Sequence, residues 1–164
     1  MNGIINTTKV WEILESVSDP EIPVLSIVDL GVVREVIALE DKVLVHITPT
    51  YSGCPAMNMI EMEIRAALLE KGINNDVKLV LSPAWTTDWM SEKGKQKLKA
   101  YGIAPPQDED ISIDTLFGKP DQIECPHCNS KKTELISQFG STACKALYRC
   151  KDCLEPFDYF KCLR

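Results

Sequence analysis

Two C-x-x-C turns near the C-terminus constrain this chain more than any other feature. They are Cys125-Pro126-His127-Cys128 and Cys150-Lys151-Asp152-Cys153, separated by 21 residues, and six of the seven cysteines fall within the last forty positions. A C-x-x-C turn is a knuckle that aims two sulfurs at one point, and a second knuckle completes a tetrahedron, so the spacing is that of a four-thiolate zinc site. Structural zinc is therefore expected on Cys125, Cys128, Cys150 and Cys153. Six thiols in so short a stretch would also allow an iron–sulfur centre. Cys144 and Cys162 are left over once a tetrahedral site is filled. Each reads either as a small buried side chain or as an extra ligand.

The start of the chain lacks the basic and long apolar regions of an export signal, and no apolar stretch reaches membrane-spanning length. A cytoplasmic protein with reduced thiols is expected, and there metal ligation is favoured over disulfides. Charge is uneven: net −4 over residues 1–104, −5 over 105–124 and +3 over 125–164. A small positive surplus on a metal module is more often a solvated face than a nucleic-acid site, so nucleic-acid binding is not expected.

Pro105-Pro106 followed by Gln107-Asp108-Glu109-Asp110 stops any helix and extends by self-repulsion. The division expected is a first domain over 1–104, an acidic connector over 105–122 and a metal module over 123–164. Apolar periodicity in the first domain predicts an α+β fold, a small mixed sheet with helices in the order α-β-β-α-β-α. The first helix is expected to be capped by Thr8 and to run through Ser16. The last is expected to begin near Thr87 and stop at Gly102. Trp85 and Trp89, four residues apart, could be either core or an exposed docking patch.

Cys54 stands apart from the other thiols, between Gly53 and Pro55 at the junction of a loop and a helix. Proline favours the first helical position, which places Cys54 at or near the N-cap. The helix dipole would there lower its pKa and favour a reactive thiolate. A cysteine hydrolase would need a base close by, and neither His46 nor His127 is placed by the sequence to serve as one. Asp19, Glu21 and Asp29 lie in loops that could approach the same sheet edge, and spacing alone gives them no catalytic role.

Three segments carry a resemblance: Asp19-Pro20-Glu21-Ile22-Pro23, Val28-Asp29-Leu30-Gly31, and Thr48-Pro49-Thr50-Tyr51-Ser52-Gly53-Cys54-Pro55. Together they closely resemble the domain of SufT-like iron–sulfur assembly proteins. The C-terminal Phe139-Gly140-Ser141-Thr142-Ala143-Cys144-Lys145-Ala146-Leu147-Tyr148 and Glu155-Pro156-Phe157-Asp158-Tyr159-Phe160-Lys161-Cys162 narrow the likeness. The combination is similar to the PaaD family, small accessory subunits encoded with the phenylacetyl-CoA epoxidase (ring 1,2-epoxidase) of aerobic phenylacetate degradation. The resemblance implies an assembly factor and not an enzyme, one that assists cluster delivery to the iron–sulfur reductase subunit. Under it Cys54 is the motif cysteine, a transfer thiol or transient cluster ligand, with Asp19, Glu21, Asp29 and Thr50 as family-marked neighbours. The alternative is a structural or regulatory subunit that docks stably on the oxygenase complex. A homodimer that brings two Cys54 thiols together is also compatible with the sequence.

Overall fold

The computed structural model describes residues 5–107 and 122–161, so Cys162 and most of the acidic connector lie outside the described residues. The chain is α+β and divides into two compact units, residues 1–94 and 95–164. This division falls ten residues before the boundary expected at 104, and Ile103–Ala104, inside the expected first domain, form a short strand in the second sheet. A strand of two residues has no alternation from which a sequence could reveal it.

The first unit opens with α1 (Thr7–Glu15). Its cap is Asn6, whose side-chain oxygen accepts the Thr8 N–H at 2.9 Å, so Thr8 is the residue being capped and not the cap. Strands β1 (Val33–Ala38) and β2 (Val43–Ile47) form an antiparallel hairpin, and helix α2 (Ala56–Glu70) crosses over to β3 (Asn75–Leu79), which lies parallel to β2. The sheet order is β1-β2-β3. Alternation decides which face of the central strand is covered: Val43, Val45 and Ile47 are buried, whereas Leu44 and His46 are only half-buried. Ile60, Ile64 and Leu68 of α2 and Val10 and Leu14 of α1 complete the core. Each such side chain contributes about 1.5–3 kcal/mol by leaving water.

The loop between α1 and β1 is part of this core, with Ile22, Leu25 and Ile27 almost fully buried. Asp19 shapes it by accepting the Glu21 and Ile22 N–H groups, each at 2.8 Å. Gly31 has φ +76°, and a Cβ there would sit 2.4 Å from the Trp89 carbonyl oxygen, so only glycine fits that turn. A 3-10 turn (Thr87–Trp89) precedes α3 (Glu92–Tyr101), so the helix starts five residues later than the expected Thr87. The two tryptophans part company at this turn. Trp85 is 4% exposed and donates its indole N–H to the Leu30 carbonyl at 2.9 Å. Trp89 is half-buried and carries the Arg34 guanidinium 3.3 Å above its ring.

The second unit is a four-stranded sheet in the order β4-β7-β6-β5. Its strands are β4 (Ile103–Ala104), β5 (Thr133–Ser137), β6 (Lys145–Cys150) and β7 (Pro156–Phe160). β5, β6 and β7 are successive antiparallel neighbours, and β4 runs parallel to β7. Ala104, Ile123, Ala146, Tyr148 and Phe157 pack with Cys125 and Cys150 into one cluster. Tyr148 stacks on its cross-strand partner Phe157 at 5.9 Å and meets Tyr159 edge-on at 5.8 Å. So small a core does not stabilise a module of this size without a staple.

Candidate metal centre and reactive thiol

The two knuckles are built alike. Cys125 N–H donates to the Ser130 carbonyl at 2.9 Å and Cys150 N–H to the Glu155 carbonyl at 3.0 Å, which folds each turn back on its first cysteine. The residue after each second cysteine, Asn129 at φ 61° and Leu154 at φ 65°, takes the left-handed conformation. Asparagine tolerates that region, whereas an exposed leucine there is uncommon. Ser130 Oγ donates to Asp152 at 2.6 Å and Lys151 N–H to the Lys132 carbonyl at 2.8 Å, stitching one knuckle to the other.

These turns bring the sulfurs of Cys125, Cys128, Cys150 and Cys153 within 4.8 Å of one another. Cys125 and Cys153 are 3.7 Å apart, and Cys128 and Cys150 are 3.6 Å apart. Four sulfurs at zinc–thiolate bond length span tetrahedral edges of about 3.8 Å, so the donor set fits a tetrahedral thiophilic ion. The amides of the second knuckle prepare the charge. Hydrogen bonding from the backbone N–H of Cys153 and then of Asp152 pulls Cys150 down to about 6. The Glu155 amide acts on Cys153 in the same sense, but desolvation and the neighbouring thiols of Cys150, Cys128 and Cys125 push it up to about 12. Without a cation, four close thiols cannot all ionise; a bound divalent ion removes that repulsion and crosslinks the two turns.

Cys144 lies apart from this cluster, buried in the ribbon, with its sulfur 3.1 Å from the Thr142 hydroxyl.

Cys54 lies in a loop that turns at Gly53, whose φ is +76°. The helix that follows has Pro55 as its N-cap and begins at Ala56, so Cys54 stands one residue before the cap. Its carbonyl accepts the Met57 N–H at 3.3 Å, and its own N–H donates to the Tyr51 carbonyl at 3.3 Å. The thiol is half-buried, and its pKa is raised instead of lowered as the helix position predicts. Desolvation is the largest influence; the Ala56 amide and Tyr51 side chain oppose it, while the Glu21 and Asp19 carboxylates add to the rise. The pull of the helix dipole is local, and what outweighs it comes from burial and from a loop more than thirty residues away.

Asp19 and Glu21 thus act on Cys54 through space. Thr50 is buried within the same loop as the thiol. Asp29 serves a different end: it is 2% exposed, accepts the Ser91 hydroxyl at 3.0 Å, and pins the segment before α3 through its carbonyl and the Ser91 N–H. Tyr51 is a site residue that the motifs did not single out, although it adjoins Thr50 in the same sequence segment and reaches the thiol.

Comparison with known proteins first defines a class. Residues 7–79 match the iron–sulfur cluster assembly protein family, and residues 109–161 match the PaaD zinc beta ribbon domain. An Fe-S protein maturation auxiliary factor of Bacillus subtilis is 43% identical over 86 residues, covering 50% of this chain and 82% of that one. A solved domain of unknown function from Bacillus anthracis has a TM-score of 0.52 at 32% identity, covering 56% of this chain and 89% of its own. A conserved hypothetical protein of Thermotoga maritima has a TM-score of 0.50 at 31% identity, with 60% and 98% covered. The chain thus joins an iron–sulfur assembly domain to a four-cysteine zinc ribbon.

A full-length likeness goes further. An Escherichia coli protein, named as a putative subunit of 1,2-phenylacetyl-CoA epoxidase, is 49% identical over 156 residues, which cover 94% of this chain and 92% of the relative. The chain belongs to that family, the PaaD family. Among the described residues no helix is long and apolar enough to cross a membrane.

Proposed function

We propose that this chain is a non-catalytic maturation factor of a phenylacetyl-CoA epoxidase that helps load an iron–sulfur cluster into the reductase subunit. The observation that carries the reading is the setting of Cys54: a solitary, half-buried thiol beside a helix start, with two carboxylates acting on it, in a domain of the iron–sulfur assembly family. Burial and carboxylates keep the thiol protonated. An arriving cationic iron species meets the Glu21 and Asp19 charges, which offset its desolvation, and the thiol gives up its proton to water as its sulfur bonds the incoming metal. A ligand held by one thiolate is easily released, which suits cargo. The ribbon cysteines hold zinc, whose contribution when bound is a structural crosslink with no open coordination position. Asp19 shapes the neighbouring loop that carries Glu21, Thr50 is buried in the thiol's own loop, and Asp29 fixes the segment that follows β3.

A docking role built on paired tryptophans finds no support, since Trp85 is in the core. The test is deletion of this chain from cells that make the remaining epoxidase subunits. A reductase with depleted cluster absorbance but normal flavin is expected. A fully loaded reductase would overturn the assignment.

A further inference from the structure

Helix α2 has two apolar faces, and the fold uses only one. Ile60, Ile64 and Leu68 point into the core, whereas Met59, Met62 and Leu69 are 50%, 66% and 57% exposed. With Ala66, also exposed, these residues recur at spacings of three, four and three, a continuous stripe on the opposite side of the helix. A monomeric protein has no folding reason to place two methionines and a leucine in line on a solvated face.

The charges beside the stripe say what kind of partner fits it. Glu63 and Glu70 border one flank, both exposed and neither held in an ion pair among the described residues. On the other flank Arg65 is already held by Glu61 at 3.0 Å and faces Asp76 at 3.6 Å. The available charge along the seam is therefore negative. An antiparallel pairing of this helix with a second copy would bring its acidic flank, Glu63 and Glu70, beside the same acidic flank of the other chain, which disfavours self-association.

We infer that the stripe of α2 seats a basic amphipathic helix of a partner protein, with the partner's apolar side chains on Met59, Met62, Ala66 and Leu69 and its Lys or Arg residues reaching Glu63 and Glu70. Methionine suits this use because its flexible thioether repacks around different side chains. The inference deepens the reading of Cys54, and depends on it for purpose: the thiol lies at the N-terminal end of the same helix, so a partner seated along α2 ends beside it.

The probe is a Leu/Lys peptide with leucine at i, i+3, i+4 and i+7, set against a Leu/Glu peptide of the same pattern, and added to the full chain. Saturable binding of the Leu/Lys peptide alone is expected, with NMR shifts confined to α2 and affinity falling as salt rises. The M62E/L69E variant should lose about tenfold or more in affinity. The E63K/E70K variant leaves the stripe intact and should weaken binding of the Leu/Lys peptide while admitting the Leu/Glu one. Absent saturable binding, binding by both variants as tight as that of the unaltered chain, or a dimer in sedimentation that M62E/L69E dissociates would each overturn the inference. Cys54→Ser separates the two claims. If it seats the peptide normally yet matures the reductase normally, transfer by Cys54 falls and docking stands. If M62E/L69E behaves as wild type in binding and maturation while Cys54→Ser is inactive, docking falls and transfer stands.

Discussion

In the ribbon, each of the four clustered thiols of Cys125, Cys128, Cys150 and Cys153 has another within 3.6 or 3.7 Å, and the backbone amides of the second knuckle pull Cys150 down to about 6. In the assembly domain, Cys54 has no thiol partner in any metal-ligand cluster among the described residues, and burial together with Glu21 and Asp19 raises its pKa. The same functional group is thus prepared for two different fates. Four converging sulfurs with knuckle amides favour permanent occupancy, and the folding energy of the module depends on it. Under the proposed function, the solitary thiol of Cys54 is a transient ligand that releases what it holds.

Metal removal should break the comparison most forcefully. Zinc sites of this kind contribute about 10–16 kcal/mol in small modules, so chelation or Cys150→Ser should collapse the ribbon. The amide spectrum of the second unit would lose its dispersion while that of α1, α2 and the first sheet persists. Loss of both units together would show that the division at residue 94 is not a division of stability.

The next largest effect belongs to Asp29. Replacing it with alanine strips the Ser91 hydroxyl and the Ser26 N–H of their partner in a buried place, at a cost of about 1–3 kcal/mol in denaturant melts of the first unit. Cys144→Ala should cost about 1 kcal/mol, because it deletes one buried sulfur. Its bound zinc, measured by metal analysis, should be unchanged; a lowered zinc content would move Cys144 into the metal site.

The smallest effect is one of rate. A raised thiol pKa means that Cys54 is protonated at neutral pH and alkylates faster as pH climbs, with a midpoint above that of an ordinary thiol. Glu21→Gln removes one of the smaller influences that raise it, so the midpoint should fall and alkylation at neutral pH should quicken. An unchanged or upward-shifted midpoint would show that Glu21 does not act on the thiol.

What could be read from the sequence was what covalent proximity determines. A C-x-x-C turn is local, so Cys125, Cys128, Cys150 and Cys153 could be grouped before any fold was known. The α-β-β-α-β-α order followed from apolar periodicity, and Val43, Val45 and Ile47 alternate as expected. Misses came where distant parts of the chain decide. Trp85 and Trp89 have the same local pattern, and only the Leu30 carbonyl and Arg34 separate their roles. The raised pKa of Cys54 is not legible in the sequence because the burial that chiefly causes it, and the approach of Glu21 and Asp19, exist only in three dimensions. Strand β4 is too short to carry a pattern, and the second face of α2 is visible only once the first face is known to be buried.

The central claim is that the lone thiol works and the four clustered thiols hold. Cluster content of the reductase matured with Cys54→Ser tests it most directly, with zinc measured on the same variant. A reductase depleted of cluster absorbance and a variant that retains its full zinc are expected. A fully loaded reductase, or a variant that loses zinc along with activity, would contradict it.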